Sequence, residues 1–421
     1  MFTIRWFLFF LGFLSLNAAA RTLPVGETAE YPKIRLAIAD AEAGDTIRIQ
    51  AGTYCESGLV VDKPLTLIGE SGAILDGEGK EILVIMANEV TVEGLTFCRV
   101  ATSHIEDRAA IRVKNVRDFL IRDNELVDTY FGVYLEHAKK GIVRGNRIVG
   151  EPTNEANTGN GIHAWYCEHL LVDDNYVKGH RDGIYFEFVD SSRITRNVSE
   201  GQLRYGLHFM FSNYDSYEDN TFRDNGAGVA VMFSKFIDMI NNRFADNWGG
   251  SSYGLLLKEI NDAEIQGNEF VHNTIGIHVE GGNRLRYLHN TFRQNGWALK
   301  ISGGCMYNRV IANNFISNTF DLSQAGRGAD NEYVGNYWSE YSGYDLDRDG
   351  VGDVPFRPIK LFSYVVDQTP EAMVMLRSLF VDLINLAEKV SPVLTPANVQ
   401  DPQPQMEPLP IGGEEFAIME Q

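Results

Sequence analysis

The residues of this chain that could do chemistry include histidines and methionines whose spacing would place them on the same face of a β-strand. In the segment His208-Phe209-Met210 an imidazole and a thioether stand two positions apart, and in a β-strand both would lie on the same face. His163 and Met232 occupy corresponding positions in other segments. Imidazole and thioether groups both suit copper ions. We therefore expect His208, Met210, Met232 and His163 to be candidate ligands for copper.

A second set of possible ligands lies in an acidic segment. Asp345, Asp347 and Asp349 alternate with other residues, Gly350 follows, and Asp353 closes the segment. Carboxylates at alternate positions, with a glycine for a sharp turn, form an oxygen cage for a hard cation. The glutamate at position twelve of an EF-hand is missing. The pattern predicts a related, shorter loop that holds a structural calcium ion, and a solvated acidic turn is the alternative.

The elements that would position these side chains are short strands that repeat along the chain. An asparagine recurs at intervals of 22 to 29 residues, and a small residue followed by an aliphatic one recurs beside it. The asparagines are Asn124, Asn146, Asn175, Asn197, Asn220, Asn242, Asn268, Asn290, Asn314 and Asn336. The small residues are Gly132, Gly161, Gly183, Gly206, Gly228, Gly254, Gly276 and Ala298. A fixed period with short alternating segments is typical of a solenoid.

The repeat predicts an all-β fold, since apolar residues alternate with others over short runs. We interpret residues 51–340 as a single-stranded right-handed parallel β-helix with coils of about 22 residues, which stack about 4.8 Å apart. The asparagines would form a ladder, because Asn tolerates left-handed turns and its amide can bond to the next coil.

The open ends of a β-helix expose unpaired backbone and need covering. We predict that residues 21–50 form an N-terminal cap helix and the first strand. Residues 341–369, which contain the acidic loop, are predicted to form a C-terminal cap. The helix prediction rests on the apolar spacing of Ile34, Ala37, Ile38 and Ala41.

Residues 370–421 predict a C-terminal helix and a tail. Leu376, Phe380 and Leu383 belong to an apolar helical stripe, and six prolines follow it from Pro392 onward. We expect the tail to be extended and non-packing. The helix either packs back on the solenoid or docks to a partner, for example at the membrane, and the tail beyond it favours docking.

When the units are aligned at the small residue, two ladders of side chains should point outward from one sheet. The first ladder, two positions later, reads Tyr134, His163, Tyr185, His208, Ala230, Leu256, His278 and Lys300. The second, four positions later, reads Glu136, Trp165, Glu187, Met210, Met232, Lys258, Glu280 and Ser302. Trp165, Tyr185 and Glu187 are candidate docking residues. The surface could bind copper, a protein or a glycan, or it could be a plain surface without a ligand.

Catalysis is an alternative, because many parallel β-helices act on polysaccharides. Such chemistry needs paired carboxylates, or a base with a charge neutraliser. The sequence offers acidic residues near residue 180, but no clear acid–base pair supported by a substrate-positioning Arg or Lys. A polyuronate lyase or epimerase, or a glycan-binding protein, remains the second hypothesis.

Residues 1–20 predict a secretory signal peptide. Arg5 precedes an eleven-residue apolar run, which is followed by three alanines suited to cleavage. The formal net charge of −20 disfavours binding to nucleic acid. Export allows disulfides, and Cys55 and Cys98 could pair because about two coils separate them.

Several segments resemble the NosD family of periplasmic proteins. The likeness covers essentially the whole mature chain, and the central and C-terminal segments are its most specific part. The segments are 180–188 (HRDGIYFEF), 203–212 (LRYGLHFMFS), 225–232 (NGAGVAVM), 63–69 (KPLTLIG), 335–338 (GNYW) and 355–358 (PFRP).

This resemblance implies a non-enzymatic accessory role in the maturation of nitrous oxide reductase. NosD-type proteins work with an ABC transporter, made of an ATPase and a membrane permease, to supply the copper–sulfur cluster of that enzyme. The resemblance also implies a copper chaperone lipoprotein and the apo nitrous oxide reductase as partners. It gives the His–Met surface a purpose, the transient handover of copper(I), and the C-terminal helix a partner, the permease.

Overall fold

The computed structural model describes residues 20–103, 105–151, 154–324, 330–376, 378–390 and 399–410. The predicted signal peptide therefore lies outside the described residues, except for Ala20. Within the described part of the chain, no helix is long and apolar enough to cross a membrane.

The chain forms a parallel β-helix of about 13 turns, with coils about 23 residues apart. This confirms the fold predicted from the repeat. Three sheets of 14, 13 and 12 strands run along the axis, here called sheets A, B and C.

Apart from the first strand of sheet A, which pairs with the second strand of the chain, each sheet collects every third strand in parallel pairing. The strands of sheet A are Thr22–Val25, Thr46–Ile49, Thr66–Gly69, Thr91–Glu93, Leu120–Arg122, Ile142–Arg144, Leu171–Asp173, Arg193–Thr195, Ser216–Glu218, Asp238–Ile240, Glu264–Gln266, Arg286–Leu288, Arg309–Ile311 and Glu332–Val334. Those of sheet B are Gly52–Tyr54, Ala73–Asp76, Thr96–Val100, Glu125–Thr129, Arg147–Val149, Tyr176–Lys178, Val198–Glu200, Thr221–Arg223, Arg243–Ala245, Glu269–Val271, Thr291–Arg293, Asn314–Ile316 and Tyr337–Trp338. Those of sheet C are Leu59–Val61, Leu83–Ile85, Ala109–Lys114, Phe131–Glu136, Ile162–Trp165, Asp182–Glu187, Tyr205–Met210, Ala227–Met232, Tyr253–Lys258, Ile275–Glu280, Trp297–Ile301 and Phe320–Gln324.

The core fills the space between the three sheets with one layer of apolar side chains per coil. In sheet C, Ile184 and Phe186 are fully buried in this core, whereas Tyr185 between them points away from it. Rings from successive coils of sheet B stack in the core, with centroids 4.5 Å apart for Phe244 and Phe270 and 4.9 Å for Phe270 and Phe292. Apolar burial of this kind is the main stabilising term of the fold.

A ladder of buried asparagines joins the coils, as the sequence predicted. In each step the side-chain oxygen of one Asn accepts bonds from the backbone and side-chain nitrogens of the preceding one, as between Asn197 and Asn220 (2.8 and 3.0 Å). One member was predicted wrongly. Asn313, and not Asn314, continues the ladder from Asn290, because Phe315 takes the register of Phe292 and places the asparagine two residues before it in the turn.

A second ladder was not foreseen from the sequence. It runs on the other side of sheet B through Gln202, Asn225, Asn247, Asn273, Asn295 and Asn318, all of them buried. These side chains satisfy backbone groups at the turn into sheet C, which would otherwise be buried without partners.

The N-terminal end is covered by helix α1 (Ile34–Asp40), which buries Ile34, Ala37 and Ile38 as expected. Glu56 accepts hydrogen bonds from the first backbone N–H groups of this helix, at 2.7 Å from Ile34. One strand, Thr22–Val25, precedes the helix and pairs with Thr46–Ile49, so the first strand comes earlier than predicted.

The C-terminal part folds back on the β-helix. Helix α2 (Leu361–Gln368), a 3₁₀ segment (Pro370–Met375) and helix α3 (Leu379–Val390) follow the last coil. They pack on the outer face of sheet C, where Phe362, Val366 and Val381 join Trp297 and Phe320 in a separate apolar cluster.

The tail was expected to be non-packing, and for residues 399–410 this is wrong. Asp401 is fully buried. It accepts hydrogen bonds from the backbone nitrogen (2.9 Å) and side-chain nitrogen (3.0 Å) of Asn336 and from the indole of Trp338 (3.0 Å). The last coil leaves these donors without a next coil, so a carboxylate from the tail takes the place of the next asparagine.

All four cysteines are free thiols. Cys55 directly follows the strand Gly52–Tyr54, which pairs with Ala73–Asp76. Asp76 in turn pairs with Cys98, so that one coil lies between the two cysteines. Two coil steps correspond to about 9.6 Å, which is too far for a disulfide. The proposed Cys55–Cys98 pairing is therefore wrong in this structure.

Candidate functional site

The two predicted side-chain ladders exist in the register expected from the alignment. Tyr134, His163, Tyr185, His208 and Ala230 pair in succession across neighbouring strands of sheet C. The second ladder pairs Glu136, Trp165, Glu187, Met210 and Met232 in the same way.

The first ladder is less accessible than the alignment suggested. Tyr134 and Tyr185 are each 8% exposed and His208 is 4% exposed. The rings cover one another, with centroids 4.5 Å apart for Tyr134 and His163 and 4.8 Å for Tyr185 and His208. Bulky side chains on a coil spacing of about 4.8 Å leave little surface between them. The second ladder is half-buried and is the accessible edge of the site.

A buried carboxylate lies beside His208. Asp182 is fully buried, and Arg204 donates to it through Nε (2.8 Å) and Nη2. Burial raises the pKa of Asp182, but the hydrogen bonds from Arg204 and His208 outweigh this effect and lower it to about 2. The carboxylate is therefore ionised, and its Oδ2 lies 3.6 Å from Nδ1 of His208.

This arrangement fits the requirements of a metal-ligating histidine. Nε2 of His208 is buried and has no hydrogen-bond partner among the described residues. The other ring nitrogen, Nδ1, lies 3.6 Å from Oδ2 of Asp182 and 3.5 Å from Nη2 of Arg204. The next residue in this ladder is Ala230, which is fully buried.

The two methionines lie next to each other at the edge of this cluster. Met210 pairs with Met232 in the register of sheet C, and both are half-buried. The hydroxyl of Tyr185 is 3.7 Å from the sulfur of Met210. The structure thus brings together His208, Met210 and Met232, a soft donor set of the kind that binds Cu(I).

His163 is not part of this group. Tyr185 separates it from His208 in the ladder, and the side chain of Asn160 lies 3.0 Å from its Nδ1. Burial lowers the pKa of His163 to about 3. Its position fits a role in packing the ladder.

Comparison with known proteins identifies the family. A family model described as "Periplasmic copper-binding protein (NosD)" matches residues 148–343. The "Probable ABC transporter binding protein NosD" of Pseudomonas aeruginosa is 32% identical over 388 residues, covering 85% of this chain and 87% of that protein. The chain belongs to the NosD family. A protein of the same description from Stutzerimonas stutzeri is 28% identical, covering 85% of this chain and 86% of that protein.

Solved structures of enzymes share the fold of this NosD-family chain. The mannuronan C-5 epimerase AlgE6 A-module of Azotobacter vinelandii aligns with a TM-score of 0.52 at 15% identity, covering 72% of this chain and 88% of that chain. The catalytic domain of a GH87 α-1,3-glucanase aligns with a TM-score of 0.54 at 10% identity, covering 76% of this chain and 69% of that chain. These likenesses show the β-helix alone.

The descriptions of the family model and of the NosD relatives refer to the periplasm, to copper binding and to an ABC transporter. The names of these relatives describe binding proteins, in agreement with a non-enzymatic role.

The acidic loop is compact. Asp345, Asp347 and Asp349 place ligand oxygens within 4.8 Å of one another, whereas Asp353 accepts a hydrogen bond from the backbone of Leu346 (2.7 Å). Repulsion from Asp349 raises the pKa of Asp347. Calcium binding by this loop stays a prediction of the sequence.

The predicted docking residues are divided between two regions. Trp165, Tyr185 and Glu187 belong to sheet C. On the C-terminal helices, Leu376 packs against the cluster around Trp297. The other two predicted residues, Phe380 (57%) and Leu383 (54%), are exposed on α3.

Sequence reasoning counted Asp182 only among the acidic residues near residue 180 and missed Arg204, and these two residues form the ion pair beside His208. Asp182 immediately precedes the small residue Gly183, and the corresponding residue of the next coil is Tyr205, with Arg204 beside it. Extending the alignment one position before the small residue would have shown that this position also carries polar and aromatic side chains.

Proposed function

We propose that this protein is a periplasmic accessory factor for the maturation of nitrous oxide reductase. It works with an ABC transporter at the inner membrane and takes part in loading copper into the copper–sulfur cluster of the enzyme. A copper chaperone lipoprotein and the apo-reductase are its partners on the periplasmic side, and Cu(I) is a transient cargo.

The observation that carries this proposal is the juxtaposition of His208, Met210 and Met232 in a NosD-family chain. His208 lies two residues before Met210 on one strand and Met210 pairs with Met232 on the next, while Nε2 of His208 has no hydrogen-bond partner among the described residues. Two neutral sulfur donors and one imidazole bind Cu(I) without adding charge to the site. Because Met210 and Met232 lie at the accessible edge, a partner can exchange ligands with them.

The first test is a Cu(I) titration of the mature protein against a chromophoric chelator. We expect Met210→Leu/Met232→Leu and, separately, His208→Ala to weaken Cu(I) binding by at least about tenfold, since each removes donors from a small ligand set. Leucine conserves the volume of methionine, so the fold should be retained.

The matched control is Met306→Leu, which changes an exposed methionine (47%) outside sheet C. It should leave the Cu(I) affinity unchanged. Equal affinity of wild type and both site variants would remove these residues as copper ligands.

The C-terminal helices provide the contact with the transporter. Leu379, Phe380, Leu383 and Leu386 are each more than half exposed on α3, although α2 and Val381 anchor the helices to sheet C. An apolar helix face that the protein itself leaves uncovered suits an apolar groove of a partner. We assign that partner to the membrane permease.

A carbohydrate-active function is the second candidate. Asp182, Arg204, His208 and Tyr185 form a cluster with acid, base and charge-neutralising groups. A polymer needs an open groove over such groups, and here Asp182, His208 and Tyr185 are each at most 8% exposed. Release of unsaturated or epimerised sugar from a polyuronate would establish this function and would contradict the accessory role.

A further inference from the structure

An exposed column of aromatic rings follows the second ladder of sheet C. The column, here called the aromatic strip, consists of His137, Tyr166, Phe188, Phe211 and Phe233. Its rings stack with centroids 5.4, 4.6, 5.2 and 5.1 Å apart and with interplanar angles of 20°, 15°, 8° and 15°. Tyr166, Phe188, Phe211 and Phe233 are each 36–45% exposed. The strip spans four coil steps, or about 19 Å.

The strip occupies a turn position that disfavours aromatic residues. Phe188, Phe211 and Phe233 have φ values of 53°, 53° and 55°, in the left-handed region where glycine and asparagine are the easy choices. The same position in the flanking coils holds Asn115, Glu259 and Gly281. The fold itself therefore does not need rings at this turn.

The aromatic block coincides with the candidate copper site. Phe211 directly follows Met210, and Phe233 directly follows Met232. Trp165 contacts the strip through Tyr166, with centroids 4.7 Å apart in an edge-to-face geometry. The two coils that follow, which carry Lys258 and Glu280 in the second ladder, lack both the methionines and the rings at these positions.

The stacking geometry indicates what kind of molecule the strip contacts. The rings cover one another's faces, so that their edges form the outer surface. Sugars bind to ring faces, whereas ring edges carry positive potential and suit carbonyl oxygens and sulfur. The strip is thus suited to a protein surface.

We propose that the aromatic strip is the docking surface for a Cu(I)-carrying protein that exchanges metal with Met210 and Met232. This inference rests on the proposed function. Direct ligand exchange requires the partner's metal site to reach the methionine sulfurs. A protein placed there has to lie over the rings of Phe211 and Phe233.

The test separates docking from metal binding. The triple variant Phe188→Asn/Phe211→Asn/Phe233→Asn removes rings but places asparagine at left-handed positions, which it tolerates, so the β-helix is retained. The probe is the Cu(I)-loaded soluble domain of the copper chaperone proposed above. Binding is measured by titration calorimetry and by the fluorescence of Trp165, and Cu(I) affinity by chelator competition.

We expect the triple variant to bind the loaded chaperone at least about tenfold more weakly and to keep the Cu(I) affinity of the wild type. The control is Trp248→Asn, which removes an exposed ring (57%) stacked on His272. Both residues lie in turns that lead from sheet B into sheet C, at the other end of the sheet C strands from the aromatic strip. It should bind the chaperone like the wild type.

Unchanged chaperone binding by the triple variant would overturn the docking assignment. The docking assignment would also be overturned if the triple variant kept chaperone binding but lost polyuronate binding, or kept chaperone binding but lost self-association on a sizing column. These results leave the copper site intact. Failure of the copper site itself would appear separately, as equal Cu(I) affinity in the wild type and the methionine variants.

Discussion

Two buried carboxylates on sheet C show how the neighbours of a residue decide its charge. Asp182 receives hydrogen bonds from Arg204 and is ionised. Asp321 is also buried, but burial outweighs a hydrogen bond from Asn318 (3.1 Å) and raises its pKa to about 7. The negative charge of Glu340 adds a smaller upward effect on the pKa of Asp321, and the positive charge of Lys360 adds a smaller downward effect. The first carboxylate is an ionised neighbour of a candidate ligand, whereas the second is the basis for an expected pH dependence of the C-terminal coils.

The Asp321 carboxyl predicts a specific pH dependence. Its folded pKa lies above the unfolded value, so its protonated form favours the folded state below pH 4, and this contribution is lost as the pH rises to about 7. We expect Asp321→Asn to raise the stability at pH 8 by up to about 4 kcal/mol and to make little difference at pH 4. Urea denaturation at both pH values measures this. An equal effect at both pH values would contradict the assignment.

Among the elements, helix α3 combines an anchored side with an uncovered apolar side. Val381 is buried against the cluster on sheet C, whereas Phe380 and Leu383 are exposed. The sequence left packing and docking as alternatives for this helix; one face packs on the β-helix, and docking of the uncovered face stays a proposal. We propose the exposed face as the contact with the permease.

The predicted outcome is that Phe380→Ser/Leu383→Ser abolishes co-purification with the permease without changing thermal stability, since exposed side chains contribute little to the fold. Asp382→Ser serves as the control on the same helix, because its side chain is also exposed. Co-purification that persists in the double variant would exclude this helix face. Deleting residues 371–421 is a less specific test, since it also removes Asp401.

In the whole molecule, the asparagine ladder has to end, and the chain ends it with its own tail. Asp401 accepts hydrogen bonds from the backbone of Gly335, the backbone and side chain of Asn336, and the indole of Trp338. In a solenoid each coil contacts mainly its neighbours, so loss of an end cap exposes the next coil.

We expect Asp401→Ala to destabilise the C-terminal coils by about 3 kcal/mol or more, since each unpaired buried donor costs about 1–3 kcal/mol. Asp401→Asn keeps one acceptor oxygen and should have an intermediate effect. Hydrogen exchange at the Asn336 amide would report the loss locally. Wild-type protection in the alanine variant would show that the tail does not cap the ladder.

The sequence by itself determined the period of the fold and the sides of its strands. Each coil repeats the same local pattern, so an error in one unit, such as Asn314 for Asn313, does not change the register of Met210 and Met232. The ladders were therefore predictable from spacing. The NosD resemblance was also readable from segments of the chain.

The tertiary structure decided what those ladders bury and what ends them. His208 was predicted to be exposed, but ring stacking and the Asp182–Arg204 pair cover it. Asp401 and Asn336 are 65 residues apart in the chain, and no local period relates them. Contacts of this kind depend on side-chain volume and on where the chain returns, and both are decided only when the coils are stacked in space.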